Sequence, residues 1–258
     1  MSIELVLLDL DGVIRDISDL LYQCHKRSFE RFYSPSDFDR TFTKKNIWRM
    51  KGIGKYNKRP ESIKAVKAIL DSKKDIDLDK ILLRLDAEKV LDSLVKKQIH
   101  PQDEKQMKRI NNIYHSVFVS KEAHSMTAIY PGVSAGIEML RKSGKKVGIV
   151  TNSYRHTLKR DVPKGLIDRL DIMITHETIK NPKPSGYGIK RAAEAVGESI
   201  RDTVYIGDTV VDVRAAKDAG CESASLLCGM GIRAHLENEG TDVVFKDLYS
   251  AAKVLIHG

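Results

Sequence analysis

Leu5-Val6-Leu7-Leu8-Asp9-Leu10-Asp11-Gly12-Val13-Ile14 is an apolar run of strand length that drives into two carboxylates and a glycine. A run that is apolar at consecutive rather than alternate positions reads as a strand buried on both faces, as in a parallel sheet, and the acids mark where it reaches the sheet edge. Asp9 and Asp11 are two positions apart, so in an extended chain their side chains leave the same face. At an effective dielectric of about 20, two unit charges about 4 Å apart cost roughly 4 kcal/mol, so a cation or a proton belongs to the arrangement. Gly12 permits the sharp turn that a side chain would obstruct.

Outward from this strand the pattern changes to helix. Ile17, Leu20, Leu21, Cys24, Ser28, Phe29 and Phe32 recur at helical spacing, and Ser34-Pro35-Ser36-Asp37 is expected to stop or turn the chain. Three further amphipathic helices are expected in the next section, which holds no convincing buried strand. They are carried by Ile63/Val66/Ile69/Leu70, by Leu78/Ile81/Leu82/Leu85 with Leu91/Leu94/Val95, and by Met107/Ile110/Tyr114/Val117. From Tyr130-Pro131-Gly132-Val133 onward, strand and helix alternate. The strands are expected at 146–150, 172–175, 203–206, 224–227 and 243–245, with helices between them and a last helix reaching Ile256. That order specifies an α/β fold, a doubly wound parallel sheet with helices on both faces. One strand precedes the helical block and the rest follow it. The economical division is therefore a core of residues 1–15 and 128–258, interrupted by an all-helical cap of residues 16–127.

A chain of 258 residues can bury a sizeable core, and its formal charge of +9 favours an anionic partner. The basic residues are spread along the chain with acids between them, which describes a mixed solvated surface and no basic tail. Three cysteines, Cys24, Cys221 and Cys228, without closely spaced ligand pairs, are read as reduced thiols and not as a zinc site. Met1-Ser2-Ile3-Glu4 leaves no room for a cleavable apolar leader before the first strand, and no apolar run approaches the roughly 20 residues of a membrane span. A cytoplasmic protein without a membrane partner is the expectation.

Ligands of such sheets bind beyond the carboxyl ends of the strands. Four polar groups stand there: Asp9 with Asp11; Thr151-Asn152-Ser153; Lys183 in Asn181-Pro182-Lys183-Pro184; and Asp208 with Asp212 in Gly207-Asp208-Thr209-Val210-Val211-Asp212. In order and type they resemble the four motifs of the haloacid dehalogenase superfamily, whose members are mostly magnesium-dependent phosphatases with a Rossmann-like core. The resemblance implies that Asp9 is the nucleophile and Asp11 the general acid and base. It implies that Mg²⁺ is held by Asp9, the Asp11 backbone carbonyl and Asp208, that Thr151, Asn152 and Lys183 bind the phosphoryl group, and that Asp212 supports the site. Each type suits its task. A carboxylate can attack phosphorus, a second carboxyl can move the proton, and an ammonium is a sufficient point charge for phosphate.

Several residues keep two readings. Thr151 could instead cap the helix after it. Asp212 could be a helix-dipole residue. Lys180 competes with Lys183 on spacing alone, and the Lys-Pro pair that resembles the third motif decides for Lys183. Lys51 in Lys51-Gly52-Ile53-Gly54-Lys55 either contacts substrate or lies in a solvated turn. Arg15 either meets substrate or pairs at the surface with Asp16 or Asp19. His156 and His176 lie near strand ends with no partner readable from sequence, and Trp48 is read as a packing residue.

Within the superfamily, the acid at Asp11 separates this chain from dehalogenases, which lack one there. Ile17 and Leu21 stand where β-phosphoglucomutases carry a threonine and a histidine, which disfavours the mutase alternative. The expected activity is Mg²⁺-dependent hydrolysis of a small phosphorylated metabolite, phosphoglycolate-like or a sugar phosphate, through an aspartyl phosphate. The reading from another class, a non-catalytic anion- or nucleic-acid-binding protein on the same fold, finds no aromatic and basic stripe to support it.

Overall fold

Leu5 and Leu7 enter one apolar core and Val6 and Leu8 the other, so the first strand, β1 (Leu5–Leu8), is buried on both sides. The computed structural model that shows this describes residues 3–74 and 76–257. Two compact units divide the chain, Met1–Asp16 with Ala128–Gly258, and Ile17–Thr127. Met1 and Ser2 of the amino-terminal reading lie outside the described residues.

In the first unit, Arg15–Asp16 (β2) and Ala128–Ile129 (β3) form a short antiparallel pair that no periodicity announced. The main sheet is completed by β4 (Lys146–Val150), β5 (Ile172–Ile174), β6 (Thr203–Gly207), β7 (Glu222–Leu226) and β8 (Val243–Phe245). Its spatial order is β5-β4-β1-β6-β7-β8, and every neighbouring pair is parallel. The chain builds outward from β1 to β4 and β5, then returns to β6 on the other side. The order therefore reverses at β1, the place where loops diverge and leave a crevice.

The second unit holds seven α-helices among its described residues. They are α1 (Ser18–Phe29), α2 (Pro35–Thr41), α3 (Lys44–Lys51), α4 (Arg59–Asp71), α5 (Leu78–Leu82), α6 (Ala87–Gln98) and α7 (Glu104–Phe118). Two expectations are corrected here. Pro35 does not stop the chain but starts α2, because the first position of a helix needs no N–H and suits the fixed proline φ. The apolar set from Leu78 to Val95 is two helices. Leu85 lies in the turn between them, 61% exposed, so its apparent periodicity is accidental. The start of α3 was missed because its signal is a cap and not a stripe. The Asn46 N–H donates to Thr43 Oγ1 (3.2 Å) and the Thr43 N–H donates to Asn46 Oδ1 (2.9 Å).

The first unit's helices are α8 (Val133–Lys142), α9 (Arg155–Asp161), α10 (Lys164–Ile167), α11 (Tyr187–Val196), α12 (Val210–Ala219), α13 (Arg233–Glu239) and α14 (Leu248–Leu255). Val133, Ile137 and Leu140 of α8, Leu158 of α9 and Leu248 of α14 cover the Val6/Leu8 face. Ile189 and Ala192 of α11 with Ala215 and Ala219 of α12 cover the Leu5/Leu7 face. At Gly186 a Cβ would stand 2.3 Å from the Ala219 backbone nitrogen, so glycine allows this close approach. Each buried leucine or isoleucine contributes up to about 1.5–3 kcal/mol, which fixes the strand ends that carry the acids. No helix among the described residues is long and apolar enough to cross a membrane.

Candidate active site

β1 ends at Leu8, and the Asp9 N–H still donates to the Ile206 carbonyl (2.9 Å), holding Asp9 at the carboxyl edge beside β6. Asp208 follows β6 directly, and Asp212 lies in the first turn of α12. One carboxylate oxygen from each of Asp9, Asp208 and Asp212 lies within 4.8 Å of the others. At that separation each pair repels by about 3–4 kcal/mol at an effective dielectric of 20.

Lys183 is the cation that faces them. Its Nζ is 2.9 Å from Asp9 Oδ1 and 2.6 Å from Asp212 Oδ1, and it donates to the Tyr205 hydroxyl at 2.8 Å. Lys180 is exposed, so burial agrees with the Lys-Pro reading. Asp212 makes contacts that suit both of its readings. Its Oδ2 accepts from the Thr209 N–H (3.0 Å) and hydroxyl (2.7 Å) at the start of α12, while Oδ1 receives Lys183. Burial would raise the Asp212 pKa, but Lys183 and these hydrogen bonds outweigh it and hold the carboxyl below its usual range. Burial also opposes the charge on Lys183, and Asp212 and Asp9 more than compensate, raising its pKa.

Asp9 and Asp208 go the other way. Burial pushes Asp9 up to about 6 even though Lys183 opposes the change. Asp208 is raised well above the carboxylate range by burial, with Asp212 and Asp9 adding to the effect. Its Oδ2 accepts the Met230 N–H at 2.6 Å, whereas its buried Oδ1 has no hydrogen-bond partner. One ammonium against three carboxylates leaves two charges uncompensated, and an oxygen is left without a donor. Oxygen ligands with that deficit fit a hard dication such as Mg²⁺. The surrounding backbone leaves room only for glycine. A Cβ on Gly12, whose φ is +85°, would stand 1.9 Å from Asp208 Oδ2, and one on Gly229 would stand 2.1 Å from it.

Thr151 follows β4, and its N–H donates to the Ile174 carbonyl (3.0 Å). Its hydroxyl accepts the Ser153 N–H at 3.1 Å, in a turn before α9, whose N-cap is Tyr154; Thr151 is therefore not the helix cap. The Asn152 side chain is occupied by Lys183. Its Oδ1 accepts the Lys183 N–H (3.0 Å) and its Nδ2 donates to the Lys183 carbonyl (3.2 Å), tying the two loops together.

Asp11 turns to a different set of partners. Its Oδ2 accepts from Ser153 Oγ at 2.6 Å, and its Oδ1 accepts from Arg15 Nε. Arg15 is 0% exposed, which rules out surface pairing with Asp16 or Asp19, one of its two readings. Its NH1 donates to Asp161 and to the Thr157 carbonyl. The tight turn at Gly12, where the Gly12 N–H donates to the Arg15 carbonyl (2.9 Å), folds Arg15 back over Asp11 and toward α9. The reading of Lys51 as substrate contact or solvated turn is also corrected. Its side chain is buried in the helical unit and donates to the Asn57 carbonyl.

Sequence reading missed two residues of this region, Tyr205 and Asp161, and gave Ser153 no role of its own within its motif. Tyr205 looked like any strand residue, yet its hydroxyl receives Lys183 and donates to the Val150 carbonyl at 2.8 Å. Asp161, and the bond that Ser153 makes to Asp11, became visible only through contacts more than 140 positions away in sequence. Beyond Ser153, the exposed ring of Tyr154 lies 4.4 Å from His176 and 5.6 Å from His156, centroid to centroid.

A family model described as haloacid dehalogenase-like hydrolase matches residues 3–220. Among curated proteins, the chain is 26% identical over 235 residues to pyrophosphatase PpaX of Halalkalibacterium halodurans, covering 90% of this chain and 86% of that protein. It is 30% identical over 137 residues to phosphoglycolate phosphatase of Nitrosococcus oceani, covering 53% of this chain and 59% of that one. The matched segment thus spans little more than half of the second relative. Among solved structures, a hydrolase from Pseudomonas syringae matches with a TM-score of 0.64 and 20% identity, over 98% of this chain and 97% of that one.

Proposed function

The chain belongs to the haloacid dehalogenase-like hydrolases, and from that premise we propose that it hydrolyses small phosphomonoesters through an aspartyl phosphate, with Mg²⁺ as cofactor. The observation that carries this reading is the convergence of Asp9, Asp208 and Asp212 on a site where Lys183 pairs with Asp9 and Asp212.

Asp9 supplies the attacking oxygen. Its Oδ forms a bond to phosphorus as the ester oxygen departs, and Asp11 gives a proton to that oxygen. Asp11, now ionised, takes a proton from water, which attacks the same phosphorus and releases Asp9 and orthophosphate. Lys183 and the Thr151 hydroxyl hold the phosphoryl oxygens, in a site where buried donors act more strongly than in water. Asp212 and Tyr205 hold the Lys183 ammonium in place. Bound Mg²⁺, which Asp9, Asp208 and the Asp11 backbone carbonyl would hold, supplies charge neutralisation at the phosphoryl group.

The substrate class draws support from the names of the relatives. They point to phosphoglycolate, and in the relative matched over most of its length to pyrophosphate. The test is a panel of phosphoglycolate, sugar phosphates, pyrophosphate and p-nitrophenyl phosphate, each with Mg²⁺ and with EDTA. Phosphate release that EDTA and Asp9→Asn both abolish is expected. Full turnover by Asp9→Asn would overturn the covalent route, and turnover of pyrophosphate alone would replace the monoester reading.

A further inference from the structure

We propose that Arg15 is the positioning residue for Asp11, fixing the carboxyl so that a single oxygen faces the ester as proton donor. The inference rests on the reading of Asp11 as general acid. Arginine carries donors and no acceptor, so the oxygen that accepts from Arg15 Nε, Oδ1, cannot present a proton to it. A transferable proton is thereby confined to Oδ2, the oxygen beside Ser153 Oγ at 2.6 Å.

The far end of the guanidinium explains why this orientation is rigid. NH1 of Arg15 is held by Asp161 and by the Thr157 carbonyl, both in α9. Asp161 is itself braced by Arg160 Nε at 2.7 Å, and its side chain is fully buried. The planar fork of Arg15 therefore spans from the loop after β1 to the helix after the Thr151 turn. Lysine, a point charge on a flexible stem, cannot make both contacts in a fixed plane. In the chemical step the proton moves from Asp11 Oδ2 to the ester oxygen while the bond from that oxygen to phosphorus breaks and the Asp9 bond to phosphorus forms. An alkyl ester depends on that proton because its alkoxide is a poor leaving group. An aryl ester such as p-nitrophenyl phosphate does not.

The experiment compares kcat/KM, which reports events up to the first irreversible step, for an alkyl ester (phosphoglycolate or glycerol phosphate) and for p-nitrophenyl phosphate. Wild type, Arg15→Lys, Arg15→Gln and Asp161→Asn are measured, with a melting curve for each. Both Arg15 variants are expected to lose about tenfold or more on the alkyl ester relative to the aryl ester, as loss of general acid catalysis requires. Asp161→Asn, which keeps Arg15 but removes the charge paired with its far end, is expected to shift the same ratio in the same direction by less. Should the Arg15 variants not fold, Asp161→Asn alone decides. An equal loss on both esters makes Arg15 a merely structural residue and overturns the proposal. A wild-type chain that hydrolyses neither ester instead overturns the phosphatase reading beneath it.

Discussion

Lys183 Nζ stands 2.6 Å from Asp212 Oδ1, and the other oxygen of Asp212 is spent on Thr209 at the head of α12. One carboxylate thus orients the helix and holds the ammonium. Removing the ammonium leaves Asp9 and Asp212 buried without their shared cation, which costs about 3–5 kcal/mol for a buried pair. Lys183→Met is therefore expected to melt markedly lower, and to lose about 10²–10³ in kcat if it folds. Lys183→Arg should rescue little, because a planar fork does not fit a site built around a point charge. Near wild-type turnover by Lys183→Met would remove this residue from the phosphoryl site.

The raised pKa values of Asp9 and Asp208 make the ion-free protein sensitive to pH. Asp9 has a folded pKa of about 6 against an ordinary 3.8, chiefly through burial. The folded state keeps that proton longer, so this contribution to stability is complete below about pH 4 and is lost as pH rises to about 6. A dication competes with the same proton, so Mg²⁺ affinity should fall as pH drops below about 6. At neutral pH and 100 times its Kd, Mg²⁺ adds about 2.7 kcal/mol, or roughly 5–10 °C in Tm. Asp208→Asn should raise the Tm of the ion-free protein and abolish the Mg²⁺ increment. A Tm indifferent to Mg²⁺ at pH 7.5 would count against a metal at these acids.

Gly229 tests the same site through space. Its Cβ would intrude 2.1 Å from Asp208 Oδ2, and displacing that oxygen also breaks the bond from the Met230 N–H. Gly229→Ala is expected to weaken Mg²⁺ binding at least about tenfold by calorimetry, a 1.4 kcal/mol effect, while far-UV circular dichroism stays unchanged. Unaltered Mg²⁺ affinity would mean that the ion does not use Asp208.

The strand-end acids were legible because a buried parallel strand has few ways to end in two carboxylates, and the core order β1, then β4 to β8, followed from alternation alone. Asp9 and Asp208 converge because they follow the neighbouring strands β1 and β6, Asp212 joins them from the first turn of the helix after β6, and Lys183 reaches in from the loop between β5 and α11. Arg15 and Tyr205 were not legible. A sequence window weighs an arginine against its near acids, Asp16 and Asp19, whereas the Gly12 turn and α9 deliver Asp11 and Asp161. A tyrosine within a strand carries no mark of where its hydroxyl ends. The helical unit was read less well than the core for a related reason: α2 and α3 announce themselves by a proline and a cap, not by an apolar stripe.

His25 gives that unit its own pH dependence. The ring is buried, its Nδ1 lies 2.8 Å from the Leu21 carbonyl and its Nε2 3.3 Å from Ser62 Oγ, and it meets Tyr114 edge to face with centroids 4.9 Å apart. The short contact to a carbonyl makes Nδ1 the donor and leaves Nε2 as the acceptor in the neutral ring. Burial lowers its pKa from 6.5 to about 3; the Leu21 hydrogen bond opposes the drop and the charge of Lys51 adds to it. The unfolded chain therefore takes up a proton that the folded chain refuses. Stability from this group is complete above about pH 6.5 and is lost as pH falls toward 3, by about 2 kcal/mol already at pH 5. His25→Gln should cost about 1–2 kcal/mol at pH 8 through lost packing, and should close or reverse that gap at pH 5. Urea unfolding of the full chain at pH 8, 6.5 and 5 measures the difference directly. Parallel curves for the two proteins would mean that His25 is charged in the folded state, which its apolar surroundings and single accepting nitrogen could not sustain.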